Sequence, residues 1–191
     1  PRLSYDESML RFGCDSPDLR FGMEIRDISD IAREVDFKVF RGVAESGGQV
    51  RGLCAKGAAE KYSRKGIDEL TTFAGTFGAK GLAWFKVDES GLTGPIAKNF
   101  SAAHLAAIRD RMGAGAGDLL LFVADHQAVC NQTLSALRER LGAELKLYDP
   151  TELHFSWVID FPLLDWDKDE KRWNAAHHPF TMPHAEDIAR L

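Results

Sequence analysis

Two adjacent histidines, His177 and His178, are the residues of this sequence whose types and spacing most directly suggest chemistry. They lie in a stretch predicted to be extended, so their side chains should point to opposite faces. That arrangement does not suit a shared zinc ion, which is better held by two histidines four residues apart on a helix. A histidine at the end of a strand can instead donate a hydrogen bond to a carboxylate substrate. Ordinary packing of the two rings is the alternative.

Three aspartates at alternate positions, Asp165, Asp167 and Asp169, match the first, third and fifth ligand positions of an EF-hand calcium loop. The sixth position requires glycine but carries Glu170, and the twelfth requires glutamate but carries Ala176. The stretch therefore predicts a solvated hairpin turn and no metal site. A metal-dependent hydrolase that combines these aspartates with the two histidines is the competing hypothesis, and zinc that survived dialysis would support it.

A glycine-rich loop at residues 113–117 is similar in composition to a phosphate cradle. A P-loop ends in Gly-Lys-Ser or Gly-Lys-Thr and opens a helix. Here Asp118 follows the glycines, and the next predicted element is a strand. Because no helix N-terminus is offered to an anion, the sequence predicts an ordinary loop.

A small basic cluster, Lys56, Lys61, Arg64 and Lys65, lies near the start of a predicted helix. Such a cluster can contact RNA phosphates, and a solvated helix end is the alternative. The whole chain carries 24 Lys and Arg against 29 Asp and Glu, so its net charge of −5 excludes a basic nucleic-acid clamp.

The three cysteines, Cys14, Cys54 and Cys130, are widely spaced and form no C-x-x-C pair. An odd number in this pattern argues against a disulfide framework and indicates a reducing, cytoplasmic environment. Cys130 shares the apolar stripe of a predicted helix with Leu134 and Leu137, so we expect it in the core.

Hydrophobic periodicity predicts the elements that position these residues. Strands are predicted at residues 21–25, 37–40, 49–54, 82–87, 118–124 and 155–161, with a further strand from Trp173. Gly47 and Gly48 would join residues 37–40 and 49–54 in a hairpin. Helices are predicted to follow the caps Asp27, Ser63, Ser101 and Asp125, and Gly142 to end the last of them.

The order of these elements predicts an α+β fold in which residues 36–125 form a two-layer module with a mostly antiparallel sheet. Residues 1–35 and 126–191 are predicted to form parts of a second domain, into which that module is inserted. The longest apolar run, Leu119–Ala124, is far below the ~20 residues of a membrane span, so we expect no membrane association. Because the sequence of 191 residues begins without Met, we expect it to be a piece of a longer protein.

Four motifs occur along the chain in a fixed order. The first is Ser4–Gly13 together with Asp15–Arg20, and the second is the middle of the chain, residues 36–125. The third and fourth are Trp157–Pro162 and His177–Pro183. In this order they resemble the segment after motif 2, the inserted GAD domain and two later signatures of bacterial-type aspartyl-tRNA synthetases. The resemblance covers essentially the whole chain.

This resemblance implies that residues 1–35 and 126–191 are pieces of a class II antiparallel catalytic core. Enzymes of the family activate L-aspartate with ATP and Mg²⁺ and transfer it to tRNA(Asp), and they act as homodimers. Whether tRNA(Asn) is a second substrate stays open. The family's first histidine of the His-His-Pro-Phe motif contacts aspartate, which implies this role for His177 and a supporting role for His178. No catalytic or metal-binding residue is carried over.

The chain departs from the family pattern in two residues and in what it does not contain. Ser16 stands where Lys is usual, and Met182 stands where Ser is usual. Motifs 1, 2 and 3, whose arginines carry most contacts to ATP and aspartate, are absent from these residues. We therefore expect the chain alone to be inactive and to bind neither ATP nor Mg²⁺.

A binding module without catalytic activity is the alternative function. The middle of the chain also resembles an insertion in subunits of tRNA-dependent amidotransferases, where it would bind tRNA or another partner. The signatures Trp157–Pro162 and His177–Pro183 argue against that parent.

Overall fold

A computed structural model of the chain describes residues 1–167, 170–176 and 182–190. Its α-helices are α1 (Tyr5–Phe12), α2 (Ser29–Glu34), α3 (Lys38–Glu45), α4 (Arg64–Gly75), α5 (Ala102–Met112) and α6 (Gln127–Glu144). Its strands are β1 (Arg2–Ser4), β2 (Arg26–Asp27), β3 (Gln49–Ala55), β4 (Ala83–Asp88), β5 (Gly91–Thr93), β6 (Leu119–Asp125), β7 (Trp157–Ile159), β8 (Leu164–Asp167) and β9 (Arg172–Ala175). Short 3₁₀ helices lie at Ala97–Asn99 and Ile188–Arg190. Among the described residues, no helix is both long and apolar enough to cross a membrane.

The centre of the molecule is a five-stranded sheet with the order β2-β3-β6-β4-β5, in which every neighbouring pair is antiparallel. Its longest pairing joins β3 to β6, from Gln49 opposite Asp125 to Ala55 opposite Leu119. This sheet and its helices confirm the predicted α+β fold with a mostly antiparallel sheet. We refer to the unit from β2 to α6 as the sheet domain.

Helices cover both faces of the sheet, so the sheet domain has three layers where the sequence predicted two. On one face, Leu119, Leu121 and Val123 share a core with α4 and α6. On the other face, Leu120 and Phe122 share a core with α2, α3 and α5. The reason is that neighbouring side chains in a strand point to opposite faces, and the continuous apolar run of β6 supplies both of them.

Three elements outside residues 36–125 contribute to the sheet domain, namely β2, α6 and α2, whose Ile31 and Ala32 are in the core. Arg26 and Asp27 of β2 pair with β3, and α6 packs against β3 and β6. The domain boundaries that the sequence suggested therefore stay a prediction, and the packed unit extends beyond them on both sides.

Two of the four predicted helix caps, Ser63 and Ser101, are confirmed. The predictions for Asp27 and Asp125 are wrong, because α2 and α6 have Ile28 and His126 at their N-cap positions, and neither of these side chains forms a capping hydrogen bond. The hydroxyl of Ser63 accepts a hydrogen bond from the amide of Gly66 at the start of α4, and the hydroxyl of Ser101 accepts one from His104 at the start of α5. Helix α5 ends at Gly113, whose φ of 59° is the left-handed conformation typical of a C-terminal glycine. These signals are local, which explains why they could be recognised in sequence.

The predicted strand at residues 37–40, and with it the hairpin through Gly47 and Gly48, is wrong. Residues 38–45 form α3, and Phe40 and Ala44 on its inner face are buried in the core. The apolar positions Phe37, Phe40 and Ala44 fall at i, i+3 and i+7, which is helical spacing. The amide of Gly48 donates to the carbonyl of Val43, so the two glycines close the helix.

The predicted strand at residues 21–25 is also wrong, since only Arg26 and Asp27 pair in the sheet. The carbonyls of Phe21, Gly22 and Met23 accept hydrogen bonds from the side chain of Arg138 instead of from a neighbouring strand.

Gly142 does not end α6, which continues to Glu144. A Cβ atom at this position would lie 2.6 Å from Cζ of Phe21, so the glycine serves close packing of helix and ring. The helix is closed two residues beyond its end, where Lys146 adopts a φ of 54° and Leu147 donates to the carbonyl of Gly142.

The strands that follow α6 form two small sheets outside the sheet domain. β7 pairs in parallel with β1, in register from Arg2 opposite Trp157 to Ser4 opposite Ile159. β8 and β9 form an antiparallel hairpin in which Trp166 lies opposite Trp173 with an edge-to-face ring contact. The predicted strands at 155–161 and from Trp173 are confirmed in type, although β7 is shorter than predicted.

Candidate functional site

A cavity of about 570 Å³ lies at the end of β7. One side is lined by Ile159, Asp160 and Phe161, which belong to the Trp157–Pro162 motif. The other side is lined by Met182, Pro183 and His184, which end or follow the His177–Pro183 motif. Two signatures that are separated in sequence therefore meet at one cavity.

A contact between a histidine and an aspartate joins the two sides of this cavity. Nε2 of His184 lies 3.0 Å from Oδ1 of Asp160, and both side chains are about half exposed. Asp160 adopts a φ of 60°, which turns the chain sharply after β7. Behind it, the ring of Phe161 packs against Tyr5 of α1 with 5.3 Å between centroids.

The predicted substrate-binding residues His177 and His178 lie outside the described residues, so their role stays a prediction. The residues that flank them are at the cavity. The amide of Ala176 donates to the carbonyl of Leu163, a residue of the cavity lining, over 3.1 Å. On the far side of the segment, Met182 also lines the cavity.

The predicted turn is wrong for Asp165 and Asp167, which lie in strand β8 of the hairpin, opposite Asn174 and Arg172. Oδ1 of Asp165 accepts a hydrogen bond from the amide of Trp166, and Oδ1 of Asp167 accepts one from the amide of Glu170. Asp169 lies outside the described residues. Within 1–167, 170–176 and 182–190, no three His, Cys, Asp or Glu side chains come together in a way that could hold a metal ion.

The glycine-rich loop at 113–117 is occupied by a side chain of this chain. Oδ2 of Asp118 accepts hydrogen bonds from the amide of Gly115 and from Nζ of Lys56, and Oδ1 accepts one from the amide of Gly57. Burial raises the pKa of Asp118, but these hydrogen bonds outweigh burial and hold the pKa below its usual value. The amide of Gly115 in this loop thus binds an internal carboxylate, and the absence of a phosphate site stays a prediction.

The basic cluster is split by this contact, because Lys56 pairs with Asp118 at 2.9 Å. Lys61, Arg64 and Lys65 are exposed around the start of α4. Their contact with RNA stays a prediction.

The two cysteines of the sheet domain are core residues. Cys54 donates to Oδ2 of Asp118, and burial raises its pKa to about 12. Burial raises the pKa of Cys130 to about 11. Neither thiol is ionised near neutral pH, so neither is suited to nucleophilic chemistry.

Two buried arginines were missed by the sequence analysis. The guanidinium of Arg138 in α6 donates to the carbonyls of Asp18, Phe21, Gly22 and Met23. It thereby fixes an irregular segment against the helix. The available signal was its place beside Leu134, Leu137 and Leu141 on the apolar stripe of α6.

The second buried arginine, Arg51 in β3, donates to Oδ1 of Asn131 in α6 and to the carbonyl of Leu10 in α1. Burial lowers the pKa of its guanidinium. Together, the two arginines attach the N-terminal segment to the sheet domain through hydrogen bonds to its main-chain carbonyls.

The comparisons with known proteins identify the sheet domain first. Residues 40–134 match the family model described as GAD domain. This match falls in the region where the sequence indicated a GAD domain.

Over all 191 residues, the chain is similar to bacterial enzymes of one kind. It is 52% identical to an aspartate–tRNA ligase of Staphylococcus carnosus and 53% identical to that of Staphylococcus aureus. It is 55% identical to an aspartate–tRNA(Asp/Asn) ligase of Bacillus mycoides. All of this chain is covered in each comparison, but it spans only 32% of the length of each relative. These matches confirm the resemblance to bacterial-type aspartyl-tRNA synthetases that the motifs indicated.

Proposed function

We propose that this chain is part of an aspartate–tRNA ligase and supplies one wall of its aspartate-binding site. The observation that carries the proposal is the meeting of the Trp157–Pro162 and His177–Pro183 motifs at one cavity. Both flanks of residues 177–181 contact or line that cavity, through Ala176 and Met182.

His177 is the residue that we expect to contact the substrate. An imidazole N–H that donates to a carboxylate forms a charge-assisted hydrogen bond, which is stronger than one between neutral groups. L-aspartate carries a side-chain carboxylate that such a donor can recognise. His178 supports its neighbour from the adjacent position of the same segment.

ATP and Mg²⁺ are proposed as cofactors of the whole enzyme and not as ligands of these residues. Among the described residues that line the cavity, one has a basic side chain, His184, which pairs with Asp160. In the part of the chain that the structure describes, no acidic cluster could hold Mg²⁺.

The remaining partners follow from the relatives and are proposed in the same way. The names of the relatives specify tRNA, and some specify both tRNA(Asp) and tRNA(Asn). We propose tRNA(Asp) as the acceptor, with tRNA(Asn) as an open second substrate, in a cytoplasmic homodimer. The chain alone should be inactive because it contains no residues that resemble motifs 1, 2 and 3.

Aspartate-dependent ATP–pyrophosphate exchange tests this proposal. It should be measured for the full-length product of the gene, for this chain alone and for His177→Ala in the full-length protein. We expect exchange only in the full-length protein. Loss of one charge-assisted hydrogen bond should raise the KM for aspartate by about 10- to 100-fold in His177→Ala. His178→Ala should have a smaller effect, and His104→Ala in α5 should have none.

Three outcomes would contradict parts of the proposal. An unchanged KM for aspartate in His177→Ala would show that this residue does not bind the substrate. Absence of aspartate-dependent exchange in the full-length protein, with tRNA supplied, would favour a non-catalytic GAD-type binding module. Zinc bound in stoichiometric amount would instead favour a metal-dependent enzyme.

A further inference from the structure

Arg20 holds a part of the chain that is distant in sequence. Its guanidinium donates to the carbonyl of Glu152 over 3.2 Å and lies 3.5 Å from that of Asp149. Both carbonyls belong to residues 148–156, which connect α6 to β7 and which we call the linker. On its other side, the guanidinium forms a two-pronged contact with the carboxylate of Asp18, at 2.8 and 3.0 Å. Arg20 thus joins the N-terminal segment to the linker.

The same contact includes an aromatic ring of the linker. The guanidinium carbon of Arg20 lies 4.1 Å from the ring centroid of Tyr148. The ring of Phe21 stacks on Tyr148 at 5.5 Å, with an angle of 21° between the planes. The two rings and the guanidinium form one cluster, which restricts the linker more than a single surface ion pair would.

The segment that carries Arg20 is itself fixed. Arg138 donates to the carbonyls of residues on both sides of Arg20, at 2.7 Å for Asp18 and 2.9 Å for Phe21. Arg138 is almost completely buried in α6. The segment that carries Arg20 therefore cannot shift without disturbing the core of the sheet domain.

The held part of the linker has a defined shape. The amide and the hydroxyl of Thr151 both donate to Oδ1 of Asp149, and the amide of Glu152 donates to the carbonyl of Asp149. The chain then enters β7, whose last residue, Ile159, lines the cavity together with Asp160. A displacement of this turn would therefore be passed on to the cavity wall within a few residues.

We propose that Arg20 is a positioning residue for aspartate binding. It sets the entry of the linker into β7 and thereby the place of the cavity wall relative to the GAD domain. The inference rests on the proposed function, since it assigns a role toward the same cavity. Arg20 does not line that cavity, so it acts through the linker and not on the substrate.

The test compares Arg20→Ala and Arg20→Lys in the full-length gene product with a matched control. Arg111→Ala removes an arginine that also forms a two-pronged contact with a carboxylate, that of Asp30, and a bond to a carbonyl, that of Asp27. It lies on α5 and has no contact with the linker. KM for aspartate, KM for ATP and kcat are measured by pyrophosphate exchange, and amide hydrogen exchange is followed in the linker, residues 148–156.

We expect Arg20→Ala to raise the KM for aspartate by about 3- to 10-fold with little change in kcat. Without Arg20 the linker would misplace the cavity wall, and the contacts of that wall with aspartate would be weaker. Amide exchange in the linker should become faster, while the thermal midpoint stays close to wild type. Arg20→Lys keeps the positive charge but loses the planar guanidinium. Its KM for aspartate and its linker exchange should therefore lie between those of wild type and those of Arg20→Ala. Arg111→Ala should leave both the KM for aspartate and linker exchange unchanged.

Two results would overturn this role. Faster linker exchange with an unchanged KM for aspartate would show that the linker does not position the cavity. A fall in kcat and thermal midpoint with both KM values unchanged would show a merely structural residue. Failure of the proposed function is distinguished from these results, because wild type itself would then show no aspartate-dependent exchange.

Discussion

The sheet domain and the strands after residue 150 contain similar apolar sequences but bury them very differently. In β6, the five residues from Leu119 to Val123 are at most 1% exposed. In and before β7, Phe155 is 81% exposed and Trp157 is 71% exposed. Among the described residues after 150, none is buried. An apolar run therefore predicts a strand in both regions, but it predicts burial only where the chain also supplies a covering layer.

The difference lies in the partners that each strand finds. β6 has neighbouring strands on both edges and helices on both faces. Within the residues that the structure describes, β7 has one neighbouring strand, the three-residue β1, and β8 pairs only with β9. A two-stranded sheet is marginally stable in water without further packing. We therefore expect the stability of the chain to reside in the sheet domain.

Phe122→Ala should give the largest effect that separates the two regions. Phe122 is 1% exposed and packs in an aromatic cluster with Phe40 and Phe85. Removing its ring from a closely packed core should lower the free energy of unfolding by about 3–5 kcal/mol. The measurement is denaturant unfolding of the chain, followed by circular dichroism.

Phe155→Ala is the matched control in the second region, since it removes the same ring from an exposed position. We expect its unfolding free energy to stay within about 0.5 kcal/mol of wild type. A loss close to that of Phe122→Ala would contradict the comparison, because it would show that the strands after residue 150 contribute to the cooperative core.

Gly52→Ala tests how tightly the sheet domain is closed. A Cβ atom at this position of β3 would lie 2.5 Å from the carbonyl oxygen of Leu121 and would also overlap the ring of Phe122. Backbone cannot yield at low cost, so we expect a loss of about 2–3 kcal/mol in unfolding free energy.

Gly42→Ala provides the opposite case within the same domain. Gly42 lies in α3, and a Cβ atom there would meet no atom within 4 Å. Alanine favours a helix over glycine, so this change should stabilise the chain by about 0.5–1 kcal/mol. Both variants add one methyl group, but their expected effects on the free energy of unfolding have opposite signs. Both are measured by denaturant unfolding. Similar effects in both variants would show that packing around Gly52 can relax.

Much of the sheet domain could be predicted from the sequence because its signals are local. The apolar run of β6 and the caps Ser63 and Ser101 depend on residues within a few positions of each other. The four residues from Phe37 to Phe40 could not be assigned in the same way. Over so short a stretch, alternation with period 2 and helical spacing both fit the pattern, and only the longer spacing to Ala44 decides.

The contacts that hold the segments together could not be predicted. Arg138 binds carbonyl oxygens of residues more than 110 positions earlier in the chain. Main-chain carbonyls are present at every residue, so no residue type marks them as acceptors. The motifs did indicate the cavity region, but the pairing of Asp160 with His184 depends on a turn at Asp160 that its residue type does not require.

Asp118→Asn tests whether a buried carboxylate of the sheet domain contributes more to stability than an exposed carboxylate of the linker. Hydrogen bonds from Gly115, Lys56 and Gly57 outweigh the effect of burial and lower the pKa of Asp118. The ionised carboxylate therefore stabilises the fold above the unfolded-state pKa of about 3.9. This contribution is lost as the pH falls through the lower folded-state pKa. We expect Asp118→Asn to lose about 1–2 kcal/mol of unfolding free energy at pH 7 and the difference to shrink below pH ~4.

Asp149→Asn is the matched change in the linker. The pKa of Asp149 is lowered mainly by the hydroxyl and then by the amide of Thr151, but its carboxylate is exposed to water. Water can replace those hydrogen bonds at little cost, so unfolding curves should show a much smaller change than for Asp118→Asn at every pH. Equal and pH-independent losses in the two variants would contradict this expectation. They would mean that Asp118 stabilises its loop through hydrogen-bond geometry that asparagine disrupts. The negative charge of its buried carboxylate would then contribute little to stability.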